Sequence, residues 1–567
     1  MKLTPLAFTL ALALGSSTVA GAAPQASKVA AAASAQAARP FSWDNATVYF
    51  LLTDRFNNAN KANDLAYGRK ADAAPLRGFM GGDLAGITAK IRAGYFTSLG
   101  VNAIWLTPPV EQIHAGTDEG TGQSYGFHGY WASDFTAVDA NLGTEQDFRD
   151  LVEAAHQRGI RVLLDVVMNH TGPVTQADPV WPDEWVRTGP ACTYKDAAST
   201  ISCTLVKNLP DVRTESDTPV ALPPALVAKW QREGRLEREQ RELDEFFART
   251  GYPRAPRYYL MKWHSDWVRK YGVDGFRADT VKHVEAPVWK ELRNVADAAF
   301  EDWKRANPAK KLSDDRFYMT AEVYNYRLDD GQLHDLGGGQ QANYYQNGFD
   351  SLINFGTVAD AEQDYESMFS RYSAMLHGGA LQGYSVLNYL ASHDFDRPYD
   401  AARKRPFVTA NKLLLAPGAA QIYYGDETAR KLDVADAVGD AKLRSFMNWD
   451  ELKQNAQRDG YRVGEVRAHW AKLGLFRQAH IAVGAGVHQQ LQAQPYVFKR
   501  TYSKGALQDK VVVALDLPTD RSTSIALHGV FADGAKVRDY YSGKSAVVRN
   551  GQVNFGTRNA VVLIAAD

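Results

Sequence analysis

The run GIRVLLDVVMNH, Gly159 to His170, is where the fold can be read. Arg161–Val167 is a short aliphatic strand that turns polar at Asn169 and His170. The stretch before it, Glu145–Arg158, carries its apolar residues at helical spacing. A helix leading into such a strand is one α/β repeat, and apolarity on both faces of the strand marks a buried, parallel sheet.

The same unit recurs in both directions. Further strand candidates are Thr47–Leu52, Val101–Leu106, Val273–Asp279, Phe317–Val323, Ser351–Phe355, Ser385–Ala391 and Ala419–Tyr424, with helical patterns such as Pro287–Ala306 and Arg403–Leu415 between them. Eight strands alternating with helices predict an α/β protein built on a closed (β/α)8 TIM barrel. An open doubly wound sheet is the competing arrangement.

About ninety residues separate the third strand from the helical stretch Tyr258–Lys270, too many for a structureless loop inside a compact domain. They predict an inserted domain B after strand 3, residues 171–257, whose charged stretch Trp230–Arg249 reads as a solvated helix. The barrel then occupies 41–170 and 258–480. After Trp470–Arg477 short alternating strands take over: Tyr496–Lys499, Lys510–Leu515, Ser524–Leu527, Lys536–Tyr541 and Ala560–Ala565. These predict a C-terminal all-β sandwich domain over 481–567.

The N-terminus carries a separate message. Met1-Lys2, the apolar run Leu6–Leu14 and the small residues Ala20-Gly21-Ala22 read as a secretory signal peptide over 1–22, followed by an Ala/Ser/Gln-rich linker over 23–40. The expectation is an exported protein. In that setting the two cysteines, Cys192 and Cys203, read as a disulfide rather than a reactive thiol. Sixty-four basic residues against 65 acidic ones leave a net charge of −1, which provides no global field for nucleic acid or an anionic membrane.

The chemistry gathers at four strand ends: DVVMNH (Asp165–His170), GFRADTVKH (Gly275–His283), AEVY (Ala321–Tyr324) and SHD (Ser392–Asp394). The C-terminal ends of barrel strands are where such a fold builds its active site. Side chains alternate along a strand, so Arg277 and Asp279 project the same way. A guanidinium beside a carboxylate favours its ionised form, as a nucleophile requires, with Asp165 on the neighbouring strand as a second partner for Arg277. Taken alone, that pairing also fits a structural ion pair. Burial and nearby negative charge would raise Glu322, as a general acid requires, and Asp394 beside His393 supplies a third carboxylate. One charged and one protonated carboxyl around an oxocarbenium-like centre is the requirement for cleaving a glycosidic bond.

These four runs resemble the signature segments of the α-amylase superfamily of retaining glycoside hydrolases. The resemblance extends from Phe41 to near Trp470. FSWDNATVYFLLTDRF (Phe41–Phe56), EQIH (Glu111–His114), DGFRADTVKHVE (Asp274–Glu285) and LLAPGAAQIYYGDE (Leu414–Glu427) are more specifically similar to the group of bacterial periplasmic enzymes in that family. The resemblance implies Asp279 as nucleophile, Glu322 as acid/base and Asp394 as the carboxylate that engages sugar hydroxyls. It implies sugar contacts for His170, Arg277 and His393, ring stacking for Tyr130 in FHGYW (Phe127–Trp131), and leaving-group-side contacts for Lys282 and His283. It further implies Ca2+ between barrel and insert, held by Asn169, by Asp211 of NLPD (Asn208–Asp211) and by the His283 carbonyl, all oxygen donors of the kind Ca2+ prefers. Ser392-His393-Asp394 departs from the family's usual Asn-His-Asp.

The implied function is hydrolysis of α-1,4-glucosidic bonds in starch or maltodextrin by a periplasmic monomer, with an α-glucan as its partner and no nucleic acid or membrane. A related transglycosylase, α-glucosidase or cyclomaltodextrinase would share the same barrel. A non-catalytic glucan-binding protein would be expected to lack one of the three carboxylates, all of which are present. A metal-dependent barrel hydrolase would use His170, His283 and His393 as ligands.

Overall fold

The computed structural model describes residues 41–567 apart from 119, 395 and 396. The expected signal peptide and linker lie outside the described residues. Eight strands form the barrel: β1 (Thr47–Leu51), β2 (Ala103–Leu106), β3 (Arg161–Val166), β4 (Gly275–Ala278), β5 (Tyr318–Ala321), β6 (Ser351–Asn354), β7 (Ser385–Tyr389) and β8 (Ala419–Tyr423). Every neighbouring pair is parallel, and β8 returns to β1, so the sheet closes. The doubly wound alternative is thereby excluded. Each strand is buried along its whole length, which is why each reads as an apolar run in the sequence.

Register sets up the site. Between β3 and β4, Asp165 lies opposite Arg277 and Leu163 opposite Gly275. Gly275 is required by contact: a Cβ there would come within 2.5 Å of the Tyr318 carbonyl oxygen and 2.7 Å of a Leu163 methyl. The helix Glu145–His156 that feeds β3 starts at Thr144 in a reciprocal capping box with Asp147 and buries Phe148, Leu151, Val152 and Ala155.

Between His170 and the helix Pro256–Tyr271 the chain leaves the barrel. This insert holds the short pair Val186–Arg187/Asp211–Val212 and a disulfide between Cys192 and Cys203. The expected single helix over Trp230–Arg249 is corrected to two, Pro224–Arg232 and Leu236–Thr250. Gly234, with φ of 70°, interrupts them in a left-handed conformation that a continuous helix does not admit.

The C-terminal region is a six-stranded antiparallel sheet in the order Val487–Gln492, Tyr496–Lys504, Leu507–Leu515, Val562–Ala566, Lys536–Asp539, Ser545–Val547. Alternation gives it two apolar faces. Val497, Val512, Ala514, Val562 and Ile564 meet a second layer containing the pair Ile525–Ala526/Gln552–Val553. Tyr496, Phe498, Val511, Val513, Leu515 and Leu563 instead belong to the same apolar core as the barrel. No helix among the described residues is long and apolar enough to cross a membrane.

Candidate active site

Arg277 is the hub. Its Nη1 donates to both oxygens of Asp165 (2.9 and 3.0 Å) and to Asp279 Oδ1 (2.7 Å), while Nη2 lies 3.2 Å from Glu322 Oε2. Asp165 is in turn gripped by the Tyr130 hydroxyl (2.8 Å) and Trp105 Nε1 (3.0 Å). One fully buried guanidinium therefore faces two carboxyls that leave adjacent strands, β4 and β5, at their C-terminal ends.

Glu322 is 7% exposed. Burial pushes its carboxyl up to about 8, opposed by Arg277 and reinforced by the charges of Asp279 and Asp394. The Thr280 amide donates to its Oε2 at 2.9 Å, fixing the carboxyl plane. Thr280 itself takes a φ of 49°, so the chain turns sharply just beyond Asp279.

Asp394 stands at the mouth, its side chain 38% exposed. Burial of its surroundings acts to raise it, but His393 and Arg444 outweigh that and hold the carboxyl well below the usual carboxylate range. His393 Nε2 lies 2.9 Å from Asp394 Oδ2, and Arg444 Nη2 donates to Oδ1 at 2.5 Å. The Tyr130 ring lies nearly parallel to the His393 ring, centroids 5.2 Å apart. Burial keeps the His170 imidazole below its ordinary range, hence neutral near pH 7; it lowers His393 too, but there the Asp394 carboxylate opposes it and favours the charged ring.

Asp279, Glu322, Asp394, Arg277, His393 and Tyr130 thus meet at one barrel mouth. Lys282 is half-buried, with its ammonium 5.4 Å from the Tyr194 ring and 5.2 Å from the Tyr324 ring; burial lowers it from its ordinary range, and the Glu322 carboxyl opposes that. The His283 ring is buried, and its Nδ1 is engaged with the Thr200 carbonyl at 2.7 Å.

Asn169, Asp211 and His283 form a second cluster beneath the insert. One end of the Asn169 amide lies 3.2 Å from Asp211 Oδ1 and 2.9 Å from the His283 carbonyl oxygen; the other end meets His170 Nδ1 at 3.3 Å. His170 Nε2 faces the Tyr130 carbonyl at 3.1 Å and must donate to it. A neutral imidazole then has only an acceptor at Nδ1, so the amide nitrogen of Asn169 turns to His170. Its oxygen is left facing two others. Burial pushes Asp211 up to about 8, against the pull of Arg187. Arg187 Nε, 3.3 Å from Asp211 Oδ2, is the cation beside them. Three converging oxygens are a donor set that fits a hard divalent cation.

Sequence reasoning passed over Trp105, Arg444 and Tyr194. The first reads as ordinary core, and the other two lie in loops without periodicity.

The chain matches the α-amylase catalytic-domain family over residues 50–469. It is 38% identical to a periplasmic α-amylase of Escherichia coli K12 over 84% of this chain and 72% of that one. A cyclomaltodextrinase of a Bacillus species is 27% identical over 84% of this chain and 74% of the relative. Among solved structures, an Anoxybacillus α-amylase superposes with a TM-score of 0.63 at 23% identity, covering 93% of this chain and 99% of that one.

Proposed function

Because the chain belongs to the α-amylase family, we propose that this glycoside hydrolase cleaves α-1,4-glucosidic bonds of starch and maltodextrins by a retaining double displacement. The observation that carries the reading is the single Arg277 guanidinium in contact with both Asp279 and Glu322. It supplies positive charge beside the carboxylate that attacks, while burial keeps the other carboxyl protonated.

In the first step an Asp279 oxygen bonds to the anomeric carbon as Glu322 gives its proton to the departing glycosidic oxygen. The carbon–oxygen bond breaks and a glycosyl ester of Asp279 remains. In the second step Glu322, now a carboxylate, takes a proton from water. That water attacks the anomeric carbon, expels Asp279 and restores both groups. Two inversions leave the α configuration intact. Asp394, ionised and fixed by His393 and Arg444, accepts hydrogen bonds from sugar hydroxyls, and Tyr130 offers its ring face to the sugar under attack.

Ca2+ belongs to the same reading. Asn169, Asp211 and the His283 carbonyl would hold it, and the ion would supply positive charge at the point where their oxygens converge. It would tie the loop after β3 to the loop after β4, and so steady the approach to Asp279. Export to the periplasm is likewise proposed, from the N-terminal pattern and the periplasmic relative.

The test follows products of a maltooligosaccharide by NMR in Asp279→Asn and Glu322→Gln. Each should lose about 10⁴-fold or more in kcat, and the parent should release α anomers first. Substantial turnover by either variant, or initial β products, overturns the assignment.

A further inference from the structure

At the opposite end of the barrel from Glu322, a cavity of about 470 Å3 opens between the N-terminal strand ends and the C-terminal sheet. Trp43, Tyr384 and Tyr502 line it as half-buried rings, joined by the exposed Asp44, Asp315 and Lys504. Trp43 is held flat by stacking on Tyr318 at 3.9 Å, with 10° between the planes. Ser385, only 4% exposed, also lines the cavity, and its Oγ has no hydrogen-bond partner among the described residues. A buried hydroxyl left unpaired beside an open cavity calls for a polar ligand or water to satisfy it.

The volume falls in the range of small-molecule sites, roughly 300–1,000 Å3. The lining combines flat apolar faces with carboxylates, an ammonium and a hydroxyl, and Asp350, which also lines it, is neutralised by Arg293 and Arg316. Neither sign of charge dominates, so an ionic ligand gains little here. A neutral polyhydroxylated chain can stack its rings and bridge its hydroxyls to these groups.

We propose that this cavity is a second glucan-binding site, separate from the catalytic cleft. The proposal rests on the glucan reading above. Tyr318 lines the cavity at the start of β5, and Glu322 follows the other end of that strand. Four residues of extended chain put roughly 13 Å between them, so the two sites face opposite ways. A long polymer held at the cavity raises its own effective concentration at the cleft, whereas a short oligosaccharide gains nothing.

The experiment measures maltoheptaose binding stoichiometry by calorimetry in full-length Glu322→Gln, alone and combined with Tyr384→Ala/Tyr502→Ala or with Lys504→Ala. Two sites per chain are expected, falling to one in the double-Ala background and weakening with Lys504→Ala. In the otherwise wild-type enzyme these changes should raise KM for soluble starch several-fold and leave maltotriose turnover unchanged, which also establishes that the variants fold. A single site in the parent, two sites persisting in the Tyr384→Ala/Tyr502→Ala background, or unchanged affinity at both sites with Lys504→Ala overturns the proposal. Failure of the glucan reading itself looks different: the unsubstituted enzyme would then fail to cleave maltotriose.

Discussion

Arg444 holds Asp394 from 50 residues farther along the chain, its Nη2 on Oδ1 at 2.5 Å. Its Nε donates at 3.0 Å to the carbonyl of His393, the neighbour that binds the other carboxylate oxygen. Asp440 braces the same guanidinium. Asp394 is therefore clamped from two sides although it stands at an open mouth.

If that clamp aims Asp394 at sugar hydroxyls, losing it should damage kcat more than binding. Arg444→Met should lower kcat about 10- to 100-fold, less than the roughly 10²- to 10³-fold cost of removing a donor that touches the reacting atoms, because Arg444 acts through Asp394. Arg444→Lys keeps the charge and should recover part of the loss. Steady-state kinetics on maltoheptaose, with thermal unfolding as a folding control, measures it. An unchanged kcat in the Met variant would show that Asp394 needs no clamp.

Glu322 predicts the alkaline limb of activity. Its carboxyl is pushed up to about 8 by burial, with Asp279 and Asp394 adding to the rise. A general acid must carry its proton, so kcat/KM should fall as pH rises through about 8 and hold steady just below it. Removing a contributing negative charge lowers that pKa. The residual activity of Asp394→Asn should accordingly show its alkaline limb at lower pH than the parent. A limb that stays in place would detach Glu322 from it.

The barrel was legible because its strands are buried on both faces. Apolar runs such as Arg161–Val166 stand out against the amphipathic helices that precede them. The carboxylates were legible because a barrel places strand-end residues together regardless of their distance in sequence, and cross-strand register puts Asp165 beside Arg277. Val487–Gln492 was not legible: as VHQQLQ it is a half-exposed edge strand with little apolar signal. The break at Gly234 hid inside a stretch whose charge pattern suits one helix or two. Arg444 was invisible because its partner is found only through the folding of a loop.

Asp165 predicts a loss of stability together with a loss of activity. It is 2% exposed and accepts from Arg277, Tyr130 and Trp105. Replacing it by Ala leaves a buried guanidinium short of one of its three carboxyl partners. Breaking a buried pair in this way costs about 3–5 kcal/mol. Asp165→Ala should shift the urea midpoint down accordingly and also lower kcat, since Arg277 is no longer held against β3. Unchanged stability would mean that Asp279 and Glu322 suffice to position the arginine.

The oxygen cluster under the insert predicts a response to chelation. Three oxygens, from Asn169, Asp211 and the His283 carbonyl, face one another, and His170 prevents the amide from turning its nitrogen toward them while the imidazole is neutral. A bound cation stabilises the folded state by mass action, about 2.7 kcal/mol at one hundred times its Kd. Chelator should therefore lower Tm by a few degrees, and added Ca2+ should restore it where Mg2+, smaller and stricter in geometry, does not. Asn169→Ala and Asp211→Ala should both lie near the chelated Tm and ignore added Ca2+. Asn169→Asp separates charge from shape: it supplies an oxygen in either orientation, so its response to Ca2+ should be kept or strengthened while its Tm without the ion falls below the parent's. If instead Tm is indifferent to chelator, the amide nitrogen faces Asp211, His170 donates from Nδ1, and the cluster is a closed hydrogen-bond network with no need of an ion.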